Sequence, residues 1–156
     1  MQMKDSFNEK IKEIIDLHAY ELYYIKRDSK IVCSCIKHET KQADPACPKC
    51  LGTGRKITIR KFKGAAQDTK LPPTFRSDRF IVARSFFVKD EIDMVKDDII
   101  VDGNTPYIVL EVQELIGLGG SIPYRKTNGV KKKFDTEIFM KNFESIIKVR
   151  SRQHKW

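Results

Sequence analysis

No apolar run in the chain approaches the roughly 18–20 residues needed to cross a bilayer. The first 28 residues carry acidic side chains where a secretory leader would keep an unbroken apolar stretch. These absences predict a protein made and kept in the cytosol, with no membrane partner. Cysteine is scarce, with only four, all between positions 33 and 50. In a reducing compartment such thiols are poor disulfide candidates and good metal ligands. A nucleophile elbow and a phosphate loop are both missing, and the acidic run Asp90, Glu91, Asp93, Asp97, Asp98, Asp102 lacks the spacing of an EF-hand. The expectation is therefore not an enzyme. Internal repeats and low-complexity segments are absent as well.

What is there describes a folded protein. With 40% hydrophobic and 33% charged residues over 156 positions, the chain can bury one sizeable core beneath a heavily ionised surface. Its net charge of +9 is unevenly spread. Residues 30–63 hold nine basic side chains against two acidic, and residues 125–156 hold ten against three, whereas residues 64–124 hold six against ten. Two basic blocks and an acidic middle suit an anionic partner, or like copies stacked with opposite faces in contact.

Ser6-Phe7-Asn8-Glu9 has the form of a capping box, and Phe7, Ile11, Ile14 and Ile15 then recur at helical spacing. This predicts a helix from about Phe7 to His18. Tyr20–Ile25 reads as a strand, Arg27-Asp28-Ser29 as a tight turn before Ile31-Val32, and Arg55–Phe62 as a second strand with one wet face. Gly64 to Pro73 reads as a linker. Phe80, Val82, Phe86 and Val88 share one face of a further strand, with Arg84 as an exception expected at an edge or a protein contact. Asp98–Val101, the turn Asp102-Gly103-Asn104 and Tyr107–Leu115 form a hairpin in which Ile108, Leu110 and Val112 point one way. Residues 117–133 read as a long excursion. Phe139, Phe143, Ile146 and Ile147 follow Asp135 at helical spacing, which predicts a capped C-terminal helix.

The predicted fold class is α+β, mainly β: a small antiparallel β-barrel flanked by N- and C-terminal helices, with an inserted zinc ribbon. Residues 1–29 supply a helix and the first strand of the barrel domain, residues 30–63 the ribbon, and residues 64–156 the barrel with its C-terminal helix. The ribbon holds too few apolar residues to stand alone, so ribbon and barrel are expected to be separable folding units.

A ribbon brings two short cysteine pairs together so that four thiolates form a tetrahedron. Cys33-Ser34-Cys35 and Cys47-Pro48-Lys49-Cys50 supply them, and Gly52 and Gly54 let the backbone turn back towards the sulfurs. Cys33, Cys35, Cys47 and Cys50 are thus expected to hold one structural zinc ion. His38 in place of Cys35 is the alternative, because a one-residue gap is tight.

One copy of C-x-x-C-x-G-x-G is also the repeat unit of DnaJ-type chaperones, but a single copy without a preceding J-domain pattern does not support that reading. The order C-x-C, a short polar gap, then C-P-x-C-x-G-T-G, and later a D-G turn before a Y-x-V strand at Asp97–Val112, resembles a group of tailed-bacteriophage virion proteins. The chain departs from that pattern after Gly54, where Arg55-Lys56-Ile57 replaces a G-G-Y stretch. The resemblance implies a neck or head-completion role of the head-closure (stopper) kind. That means a homo-oligomeric ring in the virion, assembled in the host cytoplasm, meeting portal or adaptor and tail proteins and retaining packaged DNA. Tyr124, Arg125, Lys126, Lys131, Lys132 and Lys133 in the 117–133 excursion are the candidate contacts to DNA or a neighbour. The alternatives are a tail terminator or baseplate component, and a nucleic-acid-binding zinc ribbon whose Lys37, Lys41, Lys49, Arg55, Lys56, Arg60 and Lys61 neutralise phosphates.

Overall fold

Alternating apolar and polar residues build six strands: β1 (Tyr20–Val32), β2 (Arg55–Leu71), β3 (Ile81–Lys89), β4 (Ile99–Asp102), β5 (Thr105–Gly117) and β6 (Gly120–Lys131). Helices α1 (Gln2–His18) and α2 (Thr136–Gln153) flank them. The structure, a computed structural model, describes residues 2–37, 39–71, 81–89, 92–117, 120–132 and 135–153. All strand pairs are antiparallel, and they close into a barrel in the order β1-β2-β3-β6-β5-β4, with β4 paired back to β1. The mainly β barrel with a helix at each end is the architecture the sequence predicts. Among the described residues no helix is long and apolar enough to cross a membrane.

The two-residue period sends Leu22, Tyr24, Phe62, Phe86, Val88, Ile100, Tyr107 and Val109 into the barrel. There Phe86 meets Tyr107 edge to face at 5.3 Å between ring centroids. Residues of opposite phase face outward under the helices. Phe139 and Phe143 of α2 cover Ile25, Ile59, Ile99 and Val101, while Ile15 of α1 covers Ala65 and Tyr124. Gly64 sits where the interior is tightest: a Cβ there would meet the Phe87 carbonyl oxygen at 2.9 Å and the Phe62 ring at 3.2 Å. Gly64→Ala should therefore lower stability by about 1–3 kcal/mol through overpacking, read as a fall in the urea midpoint without a change in slope.

Several local expectations are corrected. Helix α1 begins at Gln2, so Ser6 lies inside it and not at its cap. Arg27-Asp28-Ser29 is no turn, because β1 runs unbroken to Val32 and absorbs extra residues in a bulge between Arg27 and Val32. Asp28 Oδ1 accepts from the backbone N–H groups of Lys30 and Ile31 (2.8 and 3.1 Å), bonds that imitate a turn within a strand. The supposed linker after Gly64 is strand as far as Leu71, with Ala65 to Leu71 paired to β3, while the rest of it, from Pro72, lies outside the described residues. In β5 it is Tyr107 and Val109 that point inward. A bulge between Val109 and Glu111 then shifts the phase and brings Val112 back against the core. Within the 117–133 excursion, residues 120–131 are strand β6 paired to β5, with Gly117 opposite Gly120, while residues 118, 119 and 133 lie outside the described residues.

Helix α2 and the β4–β5 hairpin form as expected, the latter with Gly103 at φ +61° in a two-residue loop. Asp135 precedes α2 and its carbonyl accepts the Phe139 N–H at 3.0 Å. Phe80 lies outside the described residues.

Both mouths of the barrel are polar. At one, Arg84 of β3 reaches Asp102 of β4 (Nε to Oδ2 3.0 Å), a strand that is not its neighbour, and also meets Asp68 at 2.8 Å and the Tyr20 hydroxyl at 3.2 Å. Tyr20 in turn donates to Asp102 at 2.7 Å. Arg84 is thus an internal lock across the mouth. At the other, Asp98 is 0% exposed and accepts from the Tyr24 hydroxyl (2.9 Å), Arg27 N–H (3.2 Å) and Val95 N–H (3.0 Å), with the Lys26 ammonium 3.9 Å away. Burial, followed by the charge of Asp98, holds the Tyr24 hydroxyl well above the ordinary tyrosine range, so it stays protonated, with the Asp93 carbonyl at 2.6 Å as its second acceptor.

Candidate metal centre

The connection between β1 and β2 carries the four cysteines, and the strand pair itself sets its base. Val32 pairs with Arg55, and Cys33 N–H donates to the Gly54 carbonyl at 2.9 Å, so the ladder hands the chain directly into the loop. Each cysteine pair then turns back on itself. Ile36 N–H donates to Cys33 O at 3.2 Å, Leu51 N–H to Cys47 O at 3.0 Å, and Thr53 N–H to Cys50 O at 3.0 Å. The second turn needs left-handed backbone at Leu51 (φ +53°), Gly52 (φ +83°) and Gly54 (φ +75°). At Gly54 a side chain would also press on Ile36 and Ala43 at 3.1 and 3.2 Å.

These turns bring the four sulfur atoms within 4.8 Å of one another. Cys33 Sγ lies 3.8 Å from Cys47 Sγ, and Cys35 Sγ lies 3.5 Å from Cys50 Sγ. A metal–sulfur bond of about 2.3 Å gives a regular tetrahedron edges of about 3.8 Å, so the cluster has the dimensions of a tetrathiolate cage. Disulfides are excluded at these separations, since a bonded pair sits at about 2.05 Å. Cys47 and Cys50 are buried, whereas Cys33 and Cys35 are half-buried.

Without a cation the electrostatics divide the thiols: Cys47 is shifted down, while Cys35 and Cys50 are shifted up. Burial pushes the Cys47 thiol up, but the backbone N–H groups of Cys50 and Lys49 and the neighbouring thiols outweigh it and bring it down to about 7. Burial pushes Cys50 up to about 12, joined by Cys35 and Cys47 and opposed by the N–H groups of Gly54 and Gly52. Donors already aimed at both sulfurs are what a buried thiolate pair requires once a cation supplies the missing positive charge. The four cysteines named from the sequence thus come together in a group able to hold a metal ion, while His38 lies outside the described residues.

The loop packs against the barrel and α2. Leu51, 1% exposed, packs with Ile25, Ile59, Ile99, Val101, Phe139 and Phe143. Asn142 of α2 donates to the Ala46 carbonyl at 3.2 Å. Sequence reasoning missed both residues, although an apolar residue directly after a knuckle cysteine was the available sign.

The five described candidate contact residues differ in their surroundings. Tyr124 is 2% exposed under α1 and donates to Asp16, so it offers no contact surface. Arg125 and Lys126 are half-buried on β6, and Lys131 is exposed at its end. Lys132 stands over the Phe139 ring at 5.9 Å, and Lys133 lies outside the described residues. No protein-family model matches the chain, and no curated protein matches it.

Proposed function

We propose that the chain is a structural subunit of the neck of a tailed bacteriophage, a head-closure (stopper) ring component between portal and tail, with one structural zinc ion on Cys33, Cys35, Cys47 and Cys50. The observation that carries this reading is a four-cysteine C-x-C and C-P-x-C-x-G-T-G loop set between two strands of a closed six-stranded barrel with a helix at each end. The cysteine loop and the small β-barrel are what the family resemblance implies. Zinc fits because four thiolates complete a tetrahedron and leave no position for water, which makes the ion structural.

Exposed apolar side chains on α1, with Leu17 at 80% and Ile14 at 59%, are what a subunit face presents when seen without its neighbour. The segregated charge adds to this, since the acidic middle of one copy can meet a basic block of the next. The particle mass in solution tests the reading. Native mass spectrometry should find a closed ring, and Leu17→Asp should dissociate it while leaving the far-ultraviolet circular dichroism unchanged. A monomer that shifts DNA at physiological salt sinks the proposal in favour of the nucleic-acid-binding zinc ribbon.

A further inference from the structure

We infer that the groove between the β1–β2 strand pair and residues 93–95 is a docking site for the phosphate backbone of duplex DNA, bound without regard to sequence. Two adjoining hollows of about 510 and 270 Å³ form it, and they share Lys26, Thr58 and Asp93. Arg27 and Lys30 line the first and Arg60 the second. Lys56 is exposed on β2 opposite the bulge of β1, two residues from Thr58, and its charge acts on Asp28 across the strand pair.

The anions of the groove are already engaged. Asp28 is held by two backbone N–H groups, and Asp93 lies 3.4 Å from Lys26. Arg27 leans on Asp97 at 3.7 Å. Lys30, Lys56 and Arg60 have no carboxylate within ion-pair distance among the described residues, so their charge faces solvent. The exposed hydroxyls of Ser29 and Thr58 add neutral donors of the kind that contact phosphate oxygens.

Spacing and composition choose the partner. From Lys56 to Arg60 the strand advances about 13 Å, so the cations of the groove are spread over several phosphates of a duplex backbone and not gathered on one small anion. An acidic protein would need an apolar anchor, and among the described residues Val95 is the one large apolar side chain lining the groove. A single strand would need stacking aromatics, and the one aromatic here, Tyr24, is buried. The sequence shows Lys56 and Arg60 among its basic residues but not that Lys26 and Lys30 join them. It also does not show that Lys61 is turned to Glu21 at 2.8 Å.

The inference deepens the neck reading by naming the surface that meets packaged DNA, and it fails separately from it. The test is fluorescence anisotropy of the zinc-loaded full chain with a mixed-sequence 20-base-pair duplex. The triple variant Lys30→Glu, Lys56→Glu, Arg60→Glu should lose at least about tenfold in affinity at 50 mM salt, and its slope of log K against log salt should fall by about 2–3. A control triple of equal charge change on the helices, Lys10→Glu, Lys12→Glu, Lys141→Glu, should stay within about threefold of the parent. Lys30→Glu alone, on the exposed bulge, should lower affinity measurably even if the triple fails to fold. The inference is overturned if the parent does not bind duplex at 50 mM salt, if both triples weaken alike, or if polyglutamate competes as well as unlabelled duplex. A ring without duplex binding ends this inference and keeps the neck reading, while a monomer that binds duplex through these residues does the reverse.

Discussion

Cys50→Ser is expected to abolish metal binding and, with it, the seat of α2 on the barrel. Elemental analysis should find one zinc ion per parent chain purified without chelator, and none in the variant. Amide hydrogen exchange should then show lost protection across 39–60 and 136–153, with β3, β5 and β6 still protected. The coupling runs through Leu51, which follows the ligand directly and packs on Phe139 and Phe143. Each such side chain contributes about 1.5–3 kcal/mol when buried, so their joint release costs several kcal/mol. The helix keeps a second tie, Arg150 Nη1 to the Ile59 carbonyl at 2.9 Å, but that single bond is worth about 1–3 kcal/mol and does not replace the apolar contact. Parent protein without metal, or unchanged protection of α2 in the variant, would refute the coupling.

Asp98→Ala should be the most damaging single change inside the barrel. It strands the Arg27 and Val95 N–H groups, takes from the Tyr24 hydroxyl one of its two acceptors (the other is the Asp93 carbonyl at 2.6 Å), and removes a fully buried counter-charge near Lys26. Losing one partner of such a buried charged network costs about 3–5 kcal/mol, a large share of the roughly 5–15 kcal/mol that holds a domain folded. The melting temperature should drop on the order of 10 °C. Asp98→Asn keeps one acceptor oxygen and should lose less. A loss below about 1 kcal/mol for the alanine variant would show that the network does not hold this end of the barrel.

Much of this was legible in residue order. Period-two runs and the Asp102-Gly103-Asn104 turn gave β1, the first half of β2, β3, β4 and β5 but not β6, helical spacing gave both helices, and cysteine spacing gave the four-cysteine cluster. What was hidden has one physical cause: bulges and non-local partners leave no periodic trace. Asp28 looks like a turn residue because it makes turn bonds, yet it makes them inside a bulged strand. Gly64-Ala65-Ala66-Gln67 looks like a linker because it lacks large apolar side chains, yet Gly64 and Ala65 must be small to let Phe62, Phe87 and α1 close over them. Tyr124 looked like a contact residue in a loop, and only the approach of Asp16 on α1 reveals it as core.

The two polar mouths carry a consequence for transport. Arg84 with Asp102 bars one end of the barrel, Tyr24 with Asp98 bars the other, and aromatic and aliphatic side chains fill the bore between them. The barrel is therefore a solid post and not a pipe. Any conduit formed by this protein must run between copies, where its width is set by how many posts stand around the axis and its wall by the outward faces of strands and loops. Widening or narrowing such a passage requires moving whole barrels, and substitutions within the bore alter the strength of each post without altering the opening.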